Sequence, residues 1–293
     1  MPSDEQRRCV ATELSRQRRG INVCLFIGCF QSTNMQEDSM FVIENFGEKT
    51  TEGPVDSFVA LFDGHGGRGT VDFVANALPQ NLAHIMKKQE AQEDVKRALR
   101  SAFLLTDIQT SRFVTDTSGS TGVCCLLRRN TGEGNTRGRT QIFVANCGDS
   151  RAVLATGGGS TGERLSHDHK GECLVEQQRI ARLGGFTHSG RTLGVLAVSR
   201  SFGDHAFKDF VTADPYVASR DLESPEENPF LIVCCDGVWD VISDDEAVAM
   251  VKEAASKDLE GAWCSGNLIA KALVDEATRR GSGDNLSAVV VFF

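Results

Sequence analysis

The sequence lacks three things that would each have set its class. No apolar run approaches the roughly 18 residues that span a bilayer, so the chain reads as a soluble globular protein. Basic charge is not in excess: 31 Lys and Arg stand against 40 Asp and Glu, a formal net charge of -9, which argues against a nucleic-acid surface. The ten cysteines include no C-x-x-C spacing, which leaves a structural zinc without a framework. Cys124 and Cys125, and Cys234 and Cys235, are adjacent pairs within apolar runs. Neighbours on a strand point to opposite faces and cannot easily share a bridge, so these read as reduced, buried small hydrophobes. The start, with Asp4, Glu5, Arg7 and Arg8, is no secretory signal, and Pro2 stands where myristoylation needs glycine. A cytoplasmic or nuclear protein is the expectation.

Acidic residues placed at the ends of apolar runs are what the chain does have. Phe58 to Phe62 is an apolar run of strand length that ends in Asp63-Gly64-His65-Gly66-Gly67. A bare-backbone turn of this kind lets a metal or phosphate approach the main chain, although glycine turns also join strands to helices for structural reasons alone. Val71, Val74, Leu78, Leu82 and Ile85 then recur at helical spacing, and a second helical pattern from about 90 to 113 carries Val95, Leu99, Phe103 and Leu104. Two amphipathic helices of this length need a large apolar partner, and the strands around them supply it. Strand-like runs are read over 21–29, 41–43, 123–127, 141–146, 152–155, 229–235 and 286–293, with helices over 244–255 and 266–279. Residues 128–140, rich in Gly, Asn and Thr, read as a hairpin loop. Residues 166–210 read as an insertion with one helical segment, 176–183, the kind of place where substrate contacts live. Within it, His167-x-His169 brackets no third ligand and reads as a loop with a satisfied histidine. Residues 1–20 form a polar leader with five arginines, open to reading as a solvated segment or a docking arm.

Asp38, Asp63, Asp149, Asp236, Asp240 and Asp284 all sit at the ends of such runs. If the strands are neighbours, these carboxylates meet at one edge, and that much negative charge persists only beside cations. All-oxygen ligation selects hard ions, Mg²⁺ or Mn²⁺. Two such ions sharing a carboxylate can hold a water as hydroxide beside a phosphorus centre, which is hydrolysis without a covalent nucleophile.

Taken in order, Glu37-Asp38, Asp63-Gly64-His65-Gly66-Gly67, Ser118-Gly119-Ser120-Thr121, Asn146-Cys147-Gly148-Asp149-Ser150-Arg151, Leu196-Ala197-Val198-Ser199-Arg200, Gly203-Asp204, Asp236-Gly237-Val238-Trp239-Asp240 and Asp284-Asn285 resemble the motif series of the metal-dependent type 2C protein serine/threonine phosphatases. The series covers roughly residues 21–293. The resemblance implies an α+β fold, a four-layer αββα sandwich of two antiparallel sheets flanked by helix pairs, with a dinuclear metal site at one end. It implies one catalytic domain over 21–293 with a flap at about 170–191. Asp63 would bridge two ions, the Gly64 carbonyl, Asp236 and Asp284 would complete their shells, and Glu37 and Asp38 would ligate from the outer side or hold waters. Asp149 and Asp240, with Asp236, resemble a third, weaker site. His65 matches the general acid that protonates the departing serine or threonine oxygen, a poor leaving group without a proton. Phosphoprotein substrates, no nucleic acid, no membrane span and a monomer are the expected partners and state.

One position departs from the pattern. The family usually carries an arginine a few residues before the Glu-Asp pair, and here the segment is Gln31-Ser32-Thr33-Asn34-Met35-Gln36. A guanidinium fork is hard to replace by Thr33; either Arg68 or Arg191 takes over the phosphate, or phosphate affinity is low. The gap keeps two other readings open: a metal-binding pseudophosphatase acting as a regulatory module, and a metal-dependent hydrolase of small phosphate esters.

Overall fold

The computed structural model describes residues 22–28, 36–47, 55–87, 94–129, 140–222, 224–258 and 266–293. The arginine-bearing leader and the Thr33 position lie outside the described residues. The chain divides into two compact units, one made of 1–38, 151–165 and 222–293, the other of 39–150 and 166–221.

In the first unit, five antiparallel strands are ordered Asn22–Gly28, Leu286–Phe292, Phe230–Cys234, Arg151–Thr156, Thr161–Arg164. Leu286–Phe292 is central, pairing Val290 with Ile232 on one side and residue 24 with Val290 on the other. Alternate residues Val153 and Ala155, Ile232 and Cys234, Ala288 and Val290 face the helices Asp244–Asp258 and Gly266–Arg279, which bring Val248, Val251, Leu273 and Ala277. The period of two in the strands meets the period of 3.6 in the helices, and one apolar layer results.

The second unit repeats the plan. Its five antiparallel strands run Tyr216–Asp221, Thr140–Cys147, Gly122–Arg129, Val55–Phe62, Ser39–Phe46. Phe58, Ala60 and Phe62, Cys124 and Leu126, and Phe143, Ala145 and Cys147 face the helices Gly69–Met86 and Asp94–Phe113 through Val74, Leu78, Leu82, Leu99 and Phe103. Cys124 lies in that layer and Cys125 does not, the opposite-face placement of adjacent strand residues. Both are buried free thiols, as are Cys147, Cys234 and Cys235, and burial raises the Cys125 thiol to about 12.

The structure departs from the sequence reading at several places. Arg128 and Arg129 continue a strand instead of opening a loop, because Arg128 pairs in register with Asp56 and places a bidentate fork on its carboxylate at 2.9 and 2.8 Å. Tyr216–Asp221 is an edge strand; its hydrophobic residues Tyr216, Val217 and Ala218 are consecutive, so alternation gave no signal. Asp236–Trp239, given no element in the sequence reading, is a helical turn that follows Cys235.

Candidate active site

In the second unit, Asp63 follows the last residue of the strand Val55–Phe62. Its carbonyl accepts the Thr121 N–H at 2.8 Å, and its N–H donates to Thr121 Oγ1 at 3.4 Å. Gly64 and His65 then pair with Ser120 and Gly119, which pair on their far side with Phe202 and Gly203. This three-stranded ribbon, assembled from segments far apart in sequence, places Asp204 against His65. Their side chains meet at 2.8 Å between His65 Nε2 and Asp204 Oδ2. The carboxylate is 3% exposed and the imidazole 34%, so one edge of the ring is clamped while the side chain still reaches solvent.

The helix that follows carries no side-chain cap of its own at Arg68. Asp116 supplies one from a distance, accepting the Gly69 N–H at 3.2 Å, while Ser118 Oγ accepts the Thr70 N–H at 2.9 Å. Hydrogen bonds from Ser118 hold the Asp116 carboxyl below its ordinary value, as expected of an anion at a helix N-terminus.

Asp149 is buried in the turn after Thr140–Cys147. Its neighbour Ser150 shares a 2.7 Å hydroxyl bond with Thr121, so Thr121 joins the Asp63 and Asp149 turns. Lys170 Nζ lies 3.8 Å from Asp149 Oδ2. The next turn is held by His169, whose N–H donates to the Gly148 carbonyl at 2.9 Å and whose Nδ1 donates to the same oxygen at 3.1 Å. Burial lowers the pKa of His169 to about 3; it is the satisfied loop histidine that the sequence suggested.

In the first unit, the stretch Asp284–Ser287 ties down the Glu37–Asp38 segment and the turn that follows Cys235. Ser287 Oγ donates to Asp38 Oδ2 at 2.6 Å, and the Glu37 N–H donates to Asn285 Oδ1 at 2.9 Å. Asp284 Oδ1 accepts the Asn285 N–H at 2.7 Å. Cys235 Sγ lies 3.3 Å from the Asn285 carbonyl, and Ser282 Oγ donates to the Gly237 carbonyl at 2.7 Å. A Cβ on Gly237 would stand 2.3 Å from the Asn285 carbonyl and 3.1 Å from the Asp284 Cβ, so only glycine lets the Asp236 turn come this close. Trp239 fixes that turn, its indole N–H reaching the Cys234 carbonyl at 3.0 Å with Arg151 stacked over the ring at 5.1 Å. Asp240 is four residues from Asp236 and its N–H donates to the Asp236 carbonyl at 2.8 Å, which puts both carboxylates on one helical face.

The two arginines expected near substrate are engaged locally. Arg68 bonds Asp72 at 2.6 Å, and Arg191 Nη1 donates to the Val195 carbonyl at 2.7 Å while remaining exposed. The helix Leu174–Arg182 is anchored by Glu176, 1% exposed, which receives Arg200 at 2.6 Å, Arg179 at 2.9 Å and Ser199 Oγ at 3.0 Å. Sequence reasoning did not find this anchor, since Glu176 and Arg200 are separated by 24 residues.

The donors proposed for ions are carboxylate and carbonyl oxygens throughout: Asp38, Asp63, Gly64, Asp236 and Asp284. That set fits a hard divalent cation and not zinc or copper. Among the described residues, no group of three or more His, Cys, Asp or Glu side chains is already drawn together as a metal-holding cluster.

The sequence matches the family Protein phosphatase 2C over residues 27–286. It is 38% identical over 248 residues to probable protein phosphatase 2C 59 of Oryza sativa subsp. japonica, covering 83% of this chain and 68% of that one. It is 31% identical over 291 residues to protein phosphatase 2C homolog 1 of Saccharomyces cerevisiae, covering 95% and 97%. The chain spans only 52% of another plant relative, probable protein phosphatase 2C 71 of Arabidopsis thaliana. Among solved structures, a serine-threonine phosphatase 2C from Toxoplasma gondii superposes with a TM-score of 0.74 at 21% identity, covering 95% of this chain and 96% of that chain. A C. elegans sex determining protein does so at 0.78 and 23%, covering 95% and 66%. These two likenesses speak to the α+β fold.

Proposed function

The chain belongs to the protein phosphatase 2C family of metal-dependent protein serine/threonine phosphatases, and from that premise we propose that it is an active enzyme. It hydrolyses phosphoserine and phosphothreonine in proteins, with two divalent ions, Mg²⁺ or Mn²⁺, held by Asp63, the Gly64 carbonyl, Asp236 and Asp284. Asp38 and Glu37 steady that shell from outside, and Asp149 and Asp240, with Asp236, serve a third, weaker ion. When bound, such ions lower the pKa of a water and offset phosphate charge. The residues of this chain do the rest: Asp63 and Asp236 set where the ions go, Arg191 and Arg68 meet the substrate phosphate, and His65 hands a proton to the departing side-chain oxygen.

The observation that carries this reading is the stitching of Glu37 and Asp38 and of the Asp236 turn to the single stretch Asp284–Ser287. Acids placed at random would not be held on one scaffold by a carboxylate–hydroxyl bond, a backbone–amide bond and a glycine contact. We take the protein to act as a monomer in the cytoplasm or nucleus, with residues 21–293 as one catalytic domain and 170–191 as its flap.

The test is phosphate release from a phosphothreonine peptide by the purified chain with added Mn²⁺, beside an Asp236→Ala variant. Release that depends on Mn²⁺ and falls by about 10²-fold or more in the variant is the expected result. No release at saturating Mn²⁺ would favour the regulatory pseudophosphatase. Faster turnover of nucleotides than of any phosphopeptide would favour the small-ester hydrolase.

A further inference from the structure

The loop after the helix Gly266–Arg279 grips the turn that carries Asp236 and Asp240 at both ends. Arg280 Nη1 donates to the Val241 carbonyl at 2.7 Å, and Ser282 Oγ donates to the Gly237 carbonyl at 2.7 Å. Each gripped carbonyl belongs to a residue next to one of the two acids. The clasp is aimed by the end of the helix. The Gly281 N–H donates to the Thr278 carbonyl at 3.0 Å and the Ser282 N–H to the Ala277 carbonyl at 3.1 Å. Gly281 has φ 89°, and the whole is the Schellman arrangement, in which a left-handed glycine closes a helix.

The same four residues carry a charge pattern. Arg279-Arg280-Gly281-Ser282 puts two guanidinium groups three and two residues ahead of a hydroxyl, the arrangement that an acid-lined protein kinase cleft selects. Access is open. Arg279 is 72% exposed, Ser282 is partly exposed between the exposed Gly281 and Gly283, and a Cβ on either glycine would meet nothing within 4 Å. The arginines are held by surface ion pairs, Arg279 to Glu276 at 2.6 Å and Arg280 to Glu276 and Glu246 at 2.7 and 3.0 Å, which contribute little and exchange partners readily. A helix end bordered by glycines opens at low free energy, so the segment is able to extend into a kinase.

We propose that Ser282 is a phosphorylation site for an arginine-directed protein serine kinase, and that phosphate there releases the Asp236 turn. In the transfer, Ser282 Oγ bonds to the γ-phosphorus of ATP as the bond from that phosphorus to the β,γ-bridging oxygen breaks. The electron pair leaves with ADP, and the hydroxyl proton goes to the base of the kinase. Two ties then fail together. The oxygen that donated to Gly237 no longer carries a hydrogen, and the phosphate, with a charge of about -1.5 to -2 at neutral pH, repels the carbonyl it faces. It also lies two residues from Arg280, whose fork pairs with phosphate more strongly than with a carbonyl, so Arg280 leaves Val241. A released turn no longer presets Asp236 and Asp240, and divalent cations bind more weakly. That last consequence rests on the proposed function; the opening of the turn does not.

The test incubates the purified full chain with the catalytic subunit of a cyclic-AMP-dependent kinase and ATPγS, whose thiophosphoryl product phosphatases remove slowly. Modified sites are located by mass spectrometry, and amide hydrogen exchange over residues 236–242 is then followed in EDTA. The expected result is thiophosphate on Ser282 and exchange in the turn about 10-fold faster than in the unmodified chain. It should also be faster than in Ser282→Ala, which loses one tie and not both. Arg279→Ala, which removes a recognised charge but neither tie, should slow incorporation by about 10-fold or more. Absence of thiophosphate on Ser282, exchange no faster than in Ser282→Ala, or an Arg279→Ala chain modified at the wild-type rate overturns the proposal. Should Ser282→Ala not fold, the unmodified wild type is the reference, and unchanged exchange overturns it equally. The Mn²⁺-induced rise in unfolding midpoint, measured on both forms, separates the two readings. A smaller rise in the modified chain is expected; an opened turn beside an undiminished rise supports the clasp and counts against Asp236 as an ion ligand.

Discussion

A single hydrogen atom separates the side chain at position 119 from one that would break the His65–Asp204 contact, since a Cβ there would lie 2.2 Å from Asp204 Oδ2 and 2.3 Å from His65 Nε2. Gly119→Ala is expected to cut peptide turnover by about 10-fold or more through the proton transfer, with the loss concentrated on the peptide over p-nitrophenyl phosphate, whose nitrophenolate departs without a proton. The measurement is steady-state kinetics on both esters. At this scale the sequence was legible wherever chemistry announces itself by residue type. Asp63 and His65 beside glycines, or Asp236 at a strand end, stand out because carboxylate and imidazole at the end of an apolar run are conspicuous. Asp204 was visible only as part of a Gly-Asp pair with no role attached. Its partner, His65, lies 139 residues away, and no local pattern encodes that distance. Gly119 was legible as a small residue ahead of a strand, but its reason, two side chains meeting where its Cβ would be, belongs to three segments at once.

Among the elements, the helices were the most readable and the edges the least. Val71, Val74, Leu78 and Leu82 are buried as their spacing requires, since a helix advertises its buried stripe several times over. The strand Gly122–Arg129 was cut short in the reading because its last two residues adjoin a stretch rich in Gly, Asn and Thr. The Asp56 carboxylate opposite Arg128 reverses that judgement, and only pairing reveals it. Asp56 and Arg128 are 7% and 12% exposed, so Asp56→Ala should cost about 3 kcal/mol, seen as a lower urea midpoint at unchanged slope.

The helix Leu174–Arg182 depends on a charge in the same way. Burial alone would raise the Glu176 pKa, but hydrogen bonds and charge from Arg200, then Arg179, outweigh it and hold the value at about 2, against an ordinary 4.5. A folded-state pKa below the unfolded one gives stability that is complete above about pH 4.5 and is lost as pH falls toward 2. Glu176→Gln should therefore lower stability by about 3 kcal/mol at neutral pH. The gap from wild type should narrow between pH 4.5 and 2 in urea titrations run at each pH.

For the whole molecule, the acidic balance of the sequence and its proposed chemistry meet in one thermodynamic quantity. Under the proposed function, a chain of net charge -9 assembles its metal carboxylates against their repulsion, and cations bound only by the folded state relieve it. Ligand linkage gives the size: an ion at about 100 times its dissociation constant adds about 2.7 kcal/mol, or about 5 °C in the unfolding midpoint for a chain of this length. Millimolar Mn²⁺ is thus expected to raise the midpoint of the wild type, and EDTA to reverse the rise. Asp63→Asn and Asp236→Asn should each remove most of that response while raising the metal-free midpoint, since each deletes a charge that the empty site must otherwise tolerate. Arg191→Ala supplies the contrast: as an exposed residue proposed to meet phosphate, it should leave the Mn²⁺ shift intact and raise KM instead. A Mn²⁺ shift that survives both aspartate substitutions would mean that the ions bind elsewhere, and that acids at strand ends had been mistaken for a metal centre.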